Sequence, residues 1–227
     1  RVFARGLIIP SAYGPQLFER ILAPYQRDFF DDVAPQLEAL LLDQVPARRR
    51  YWVERTKKAS KDNDLAVCAL WCLAFTQRPL SMQVCAANRK QAGILRERIN
   101  TLLHYNPWIG EHVEPLQFGY RSRSLPKTAE LHIEATDGSG GAHGGLPDFL
   151  LLNELTHVAK WKAMEDHMAN ADGNPRGIAF VVTNAGIKGT PAWRWRENAE
   201  GNQRRWSMHV WDRPAPWASE EDVEEAR

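Results

Sequence analysis

The segment at residues 51–75 constrains the fold more than any other part of the chain, because it sets a short strand, a basic turn and a long apolar helix in immediate succession. Tyr51-Trp52-Val53 can form the strand, residues 54–61 carry four basic side chains, and residues 65–75 are almost continuously apolar. This is the outline of a phosphate-binding loop, G-x-x-x-x-G-K-[ST], in which glycines let backbone N–H groups approach the phosphates, the Lys reaches the β/γ oxygens and the hydroxyl holds Mg²⁺. With Lys61 as the lysine, Arg55 and Ser60 stand at the two glycine positions and Asp62 at the hydroxyl position, so three of the four depart from the pattern. Taken alone, Ser60-Lys61-Asp62 reads better as a charged helix N-terminus with Ser60 as N-cap.

The rest of the chain alternates strand and helix signals. Residues 1–25 show no clean period and are cut into short pieces by Pro10, Gly14, Pro15 and Pro24. Over residues 26–42 the apolar positions Phe29, Phe30, Val33, Leu37, Leu40 and Leu41 repeat at helical spacing, with Pro35 expected to limit continuity. Gln26 stands just ahead of that helix; a surface amide is the default, and an amide that reads an adenine edge is the alternative. Residues 80–87 read as a buried strand, residues 89–103 as a helix, and residues 106–127 as a loop with irregular inserts. In the strand expected at residues 130–136, Leu131, Ile133 and Ala135 alternate with His132 and Glu134, so one side is wetter than the other. A glycine-rich stretch, residues 138–145, carries His143; apolar runs follow at residues 149–152 and 178–182, then a helix at 193–198 and a strand at 206–211. From residue 219 the tail is acidic and expected to fray.

Strands that are apolar on both faces and alternate with helices imply an α/β fold with a mostly parallel central sheet flanked by helices. Ligands of such sheets sit at the carboxyl ends of the strands, where residues 54–62, Asn153-Glu154 and Thr183-Asn184 fall. With 227 residues the chain fits one α/β domain, and its net charge of +1 argues against a bulk electrostatic grip on nucleic acid while leaving room for a local basic surface. The first residue is Arg, and neither a signal peptide nor a bilayer-spanning apolar run is evident, which gives the expectation of a fragment of a longer cytosolic protein. Cys68, Cys72 and Cys85 form no C-x-x-C pair and are expected to be buried thiols.

The run Phe149-Leu150-Leu151-Leu152-Asn153-Glu154 is a hydrophobic strand ending in the Walker B position, with Asn where a carboxylate usually supports Mg²⁺ and Glu where the attacking water is oriented. Together with the variant loop Arg55-Thr56-Lys57-Lys58-Ala59-Ser60-Lys61-Asp62-Asn63, with Gln26, with His143 and the glycines before the Walker B strand, and with Val182-Thr183-Asn184-Ala185-Gly186, the chain resembles the N-terminal ATPase domain of the large terminase subunit of tailed bacteriophages and prophages.

The resemblance implies an ASCE-type P-loop NTPase with a lead-in over residues 1–50, an ATPase core over 51–218 and a tail over 219–227 leading toward a nuclease domain not contained here. It implies hydrolysis of ATP with Mg²⁺ to move double-stranded DNA into a procapsid. The ATP site would comprise Gln26, Arg55, Thr56, Lys57, Lys58, Ala59, Ser60, Lys61, Asp62 and Asn63. Glu154 would act with Lys61 in catalysis, Asp62 and Asn153 would hold the metal, and Thr183, Asn184 and Gly186 would couple hydrolysis to DNA. His143 matches the place of a finger that reaches a neighbouring subunit's nucleotide, with Arg121, Arg123 and Arg194 as other candidates. The implied partners are a portal protein, a small terminase subunit and further copies of the chain in a ring, or a monomer in isolation, in the cytoplasm of a bacterial host and without a membrane. Because the hydroxyl and carboxylate positions are both altered, a degenerate nucleotide-binding or assembly scaffold is the alternative. A compensating exchange between Asp62 and Asn153 is the reading that keeps an active site, since Mg²⁺ takes one or two carboxylates beside phosphate and water.

Overall fold

The computed structural model describes residues 2–11, 14–125, 128–135, 145–158, 160–219 and 221. In chain order the elements are α1 (Val2–Arg5), β1 (Ile8–Ser11), β2 (Gly14–Leu17), α2 (Phe18–Ile21), α3 (Pro24–Leu41), β3 (Arg50–Arg55), α4 (Lys61–Phe75), β4 (Leu80–Ala86) and α5 (Arg89–Tyr105). There follow α6 (Pro107–Gly110), β5 (Val113–Leu116), β6 (Gly119–Ser122), β7 (Ala129–Ala135), β8 (Phe149–Asn153), a 3-10 turn (Leu155–His157), α7 (Trp161–Gly173), β9 (Ile178–Thr183), α8 (Pro191–Gly201) and β10 (Trp206–Trp211).

Eight strands form one sheet in the order β10-β3-β9-β8-β4-β7-β6-β5, parallel from β10 to β7 and antiparallel through β6 and β5. β3, β8 and β9 are buried at every position, because helices cover both faces. On one side Phe29 of α3, Leu70 of α4 and Ile99 of α5 pack with Tyr51, Val53 and Val84. On the other, Met164 and Ala171 of α7 and Ala192 and Ala199 of α8 pack with Trp52, Leu150 and Val181. Strand alternation divides β3 between the two cores: Tyr51 and Val53 face the first and Trp52 the second.

The structure differs from the sequence expectation at three places. The stretch expected to be a loop, residues 106–127, is not one over its described part, residues 106–125. They fold into α6 and the antiparallel pair β5/β6, which extends the sheet. β6 fits there because of Gly119, where a Cβ would stand 1.8 Å from the Leu131 carbonyl oxygen. Second, Pro35 does not limit the helix: α3 runs unbroken from Pro24 to Leu41, with Phe29, Phe30, Val33, Leu37 and Leu40 buried along one face. That burial outweighs the ~3 kcal/mol an internal proline costs. Third, residues 161–173, to which the sequence reading assigns no element, form α7, whose buried face of Met164, His167 and Ala171 carries no strong periodic signal.

β1 and β2 form a separate two-stranded ribbon. The Ile8 N–H donates to Asn106 Oδ1 and Asn106 Nδ2 donates to the Ile8 carbonyl, both at 2.8 Å, which fixes the ribbon against the end of α5. The three cysteines are buried and free, and burial pushes the Cys72 thiol up to about 12. Among the described residues no helix is long and apolar enough to cross a membrane.

Candidate active site

β3, β8 and β9 are neighbours in the parallel part of the sheet, and each delivers polar groups to its carboxyl end. After β3 the chain turns through residues 56–60 before α4 begins at Lys61. Two non-glycine residues in this turn adopt the left-handed conformation, Lys58 at φ 62° and Ser60 at φ 63°. Ser60 thus has the backbone shape that glycine supplies most easily. Although it precedes α4, its side chain makes no cap hydrogen bond.

The turn is held from outside by α3 and by the segment that follows β10. Tyr25 Oη donates to the Ala59 carbonyl at 3.2 Å, and Trp217 Nε1 donates to the Lys58 carbonyl at 3.0 Å. The Thr56 N–H and hydroxyl donate to the carbonyls of Trp211 and Arg213 at 3.2 and 3.0 Å.

Lys61, Glu154 and Asn184 meet in a closed set of contacts. Lys61 Nζ lies 2.8 Å from Glu154 Oε1 and donates to Asn184 Oδ1 at 3.0 Å. Asn184 Nδ2 donates to Glu154 Oε2 at 3.0 Å. Lys61 and Glu154 are 6% and 5% exposed, so the low-polarity surroundings strengthen the ion pair while hydrogen bonds fix its orientation. Glu154 is itself left-handed, at φ 55°, and its backbone N–H donates to the Val182 carbonyl at 2.8 Å. β9 therefore anchors the bend that turns the Glu154 carboxylate toward Lys61.

Beside this set, Asn153 Nδ2 donates to Asp62 Oδ1 at 3.1 Å. Asn153 Oδ1 is buried with no hydrogen-bond partner. Lys61, Asp62, Glu154 and Asn184 all border a cavity of about 670 Å³, together with Lys57, Lys58, Ala59, Ser60 and Asn63. That volume falls in the range of small-molecule sites.

Two members of the expected ATP-binding set face elsewhere. Arg55 shares the inward direction of Tyr51 and Val53 and is 1% exposed. It is ion-paired to Asp64 of α4, and its guanidinium carbon stands 4.8 Å over the Tyr25 ring and 5.4 Å over the Phe29 ring. Burial pushes the Asp64 carboxyl above the usual carboxylate range, while the Arg55 charge works in the opposite direction. Thr56 spends its hydroxyl on Arg213 and does not border the cavity.

Gln26 lies inside α3 rather than ahead of it, at its third residue. It borders the cavity, yet its Oε1 accepts from the Ala23 N–H at 3.0 Å and its Nε2 donates to Asp64 Oδ1 at 2.7 Å. The amide is not turned to the cavity as a base-reading edge would be.

In the expected coupling segment, Thr183 Oγ1 accepts from the Thr156 N–H at 3.4 Å and Asn184 joins the Lys61/Glu154 set. Gly186 has room for a side chain, since an added Cβ would meet only ordinary contacts from 3.7 Å outward. His143 lies outside the described residues. Of the other finger candidates, Arg121 and Arg123 pair with Glu114 on the β5/β6 hairpin, and Arg194 is exposed on α8. The sequence reading does not reach several other residues that line the cavity, among them Ile9, Phe18, Ile21, Ile94, Arg98 and His157. Ile94 and Arg98 lie four apart on α5, a helical spacing that could have marked a shared face. The irregular residues 1–25 carry no comparable signal.

No protein-family profile and no curated protein matches the chain. Among solved structures it is similar to the HK97 bacteriophage large terminase, with a TM-score of 0.74 and 18% identity over 99% of this chain and 49% of that one. It is also similar to the large terminase of a thermophilic bacteriophage, solved in complex with ADP, with a TM-score of 0.55 and 10% identity over 84% of this chain and 48% of that one. The chain spans about half the length of each, and it has their fold.

Proposed function

We propose that the chain is the ATP-hydrolysing motor domain of a viral large terminase, which drives double-stranded DNA into a procapsid as one subunit of a ring, with a portal protein and a small terminase subunit as partners. The observation that carries this reading is the meeting of Lys61, Glu154 and Asn184 at 2.8–3.0 Å on the wall of one cavity. They lie beyond the carboxyl ends of three separate strands, and the fold shared with two large terminases supports assigning them nucleotide chemistry.

In this reading the backbone N–H groups at the start of α4 and the Lys61 ammonium bind the β/γ phosphates, because a helix N-terminus and a fixed cation both favour phosphate charge. A γ-phosphate held by Lys61 is then adjacent to Glu154, which orients and accepts a proton from the attacking water. Asn184 fixes the rotation of the Glu154 carboxylate and, standing at the end of β9, links it to the segment before α8.

Asp62 and Asn153 fit a divalent cation: both offer hard oxygen donors, and Asn153 Oδ1 is a buried oxygen without a partner. Mg²⁺, when bound, neutralises developing phosphate charge. The test is Mg²⁺-dependent ATP binding and hydrolysis with and without double-stranded DNA. Glu154→Gln should bind ATP with little change and lose turnover by about 10²–10⁴-fold, whereas Lys61→Ala should also weaken binding. Wild-type turnover in Glu154→Gln would remove Glu154 from this role, and a chain that binds no Mg²⁺-ATP would be a scaffold instead.

A further inference from the structure

The cavity that Lys61 and Glu154 border is also lined by Ile9, Phe18, Ile21 and Ile94. Apolar lining of this kind suits the face of a flat heterocycle and leaves its edge to whichever polar groups remain. Gln26 is not one of them. It is 1% exposed, and its amide joins the Ala23 backbone to the Asp64 carboxylate. Turning it outward would take one hydrogen bond from Asp64, a carboxylate with 0% exposure.

Arg98 is the opposite case. It borders the same cavity, is half-buried, and its side chain makes no hydrogen bond or ion pair among the described residues. An arginine presents five donors and no acceptor. The purine edge bearing N7 has two acceptors in guanine, N7 and O6, whereas in adenine one acceptor stands beside an amino donor. A guanidinium can therefore pair in a bidentate fashion with guanine but meets adenine partly donor to donor.

We propose that Arg98, rather than Gln26, meets the edge of the base, and that the site accepts guanosine triphosphate at least as well as adenosine triphosphate. This rests on reading the cavity as a nucleoside triphosphate site. The arginine's chemistry also allows a phosphate contact, and the experiment separates the two roles.

The test titrates the protein with ATP, GTP and inorganic tripolyphosphate in the presence of Mg²⁺, for the wild type and for Arg98→Met. GTP should bind the wild type as tightly as ATP or more tightly. Arg98→Met should weaken GTP about tenfold, as expected for a lost bidentate pair, and ATP by less than about threefold, with tripolyphosphate unchanged. Wild-type binding of ATP more than about tenfold tighter than GTP overturns the inference without needing the variant. Equal losses for ATP, GTP and tripolyphosphate in Arg98→Met overturn it as well, by assigning Arg98 to phosphate. In both of those outcomes the triphosphate site itself stands. If all three ligands fail to bind the wild type, the triphosphate site is refuted and the inference falls with it.

Discussion

Asn153 Nδ2 donates a hydrogen bond to Asp62 Oδ1 at 3.1 Å, joining the last residue of β8 to the first turn of α4. In the proposed nucleotide site the two side chains would stand where a P-loop enzyme usually has its metal-binding hydroxyl and its Walker B carboxylate. Here the carboxylate stands on the helix and the neutral oxygen on the strand. The number of negative charges at the site is unchanged by that exchange, and so is its count of hard oxygen donors.

A double-mutant cycle tests whether the pair acts as a unit. Asp62→Thr alone removes the carboxylate and should impair Mg²⁺-dependent ATP use. Asp62→Thr with Asn153→Asp restores one carboxylate on the other side and should recover part of it. The coupling between contacting residues is expected on the order of 0.5–3 kcal/mol, and strict additivity in turnover would show that the two positions do not share a metal.

Arg55 and Asp64 yield a stability prediction rather than a catalytic one. Their ion pair is fully buried behind the loop, with Gln26 as a third member. Arg55→Met should strand the Asp64 carboxylate and cost about 3–5 kcal/mol. For a chain of this size that corresponds to a fall in Tm of about 6–20 °C in thermal unfolding. A variant that keeps its Tm but loses affinity for ATP would return Arg55 to the nucleotide and contradict its buried position.

The same residue shows where the sequence is legible and where it is not. Lys61, Glu154 and Asn184 can be placed at one site because each closes a strand-then-turn pattern at the carboxyl edge of a parallel sheet, a relation fixed by topology. Loop arithmetic assigns Arg55 to the nucleotide, while the alternation of β3 puts it on the side of Tyr51 and Val53. Gln26 can be placed near the site, but the partners of its amide depend on Asp64, 38 residues away. The wall containing Ile9, Phe18 and Ile21 is illegible for a different reason. Those residues come from short elements with no period of their own, and the ribbon that carries Ile9 is fixed by Asn106 on the far end of α5.

Ser60 has a left-handed backbone, which costs a non-glycine residue about 1–2 kcal/mol. Ser60→Gly removes that strain and adds roughly 0.5–1 kcal/mol of unfolded-chain entropy, so stability should hold or rise slightly. Ser60→Val, with a β-branched side chain at the same φ, should lower both Tm and affinity for ATP. Equal behaviour of the two variants would mean that the loop does not depend on this conformation.

The last prediction concerns pH and the edge strand β10. Asp32 of α3 accepts a hydrogen bond from Ser207 and lies 3.1 Å from His209 Nε2, both on β10. The bond to His209 is the largest cause holding the Asp32 carboxyl below the ordinary carboxylate range, with Ser207 and the His209 charge acting in the same direction against burial. A carboxyl whose folded pKa is depressed adds stability above its unfolded value, near 3.8, and loses it as the pH falls through the lower folded value. Thermal unfolding followed from about pH 5 downward should therefore show a falling Tm to which Asp32 contributes, and Asp32→Asn should flatten that limb while lowering Tm near neutrality. His209→Ala should do the same in part, since it removes the largest cause of the depression. An acid limb of identical steepness in the wild type and Asp32→Asn would show that this contact between α3 and β10 contributes nothing to the pH dependence of folding.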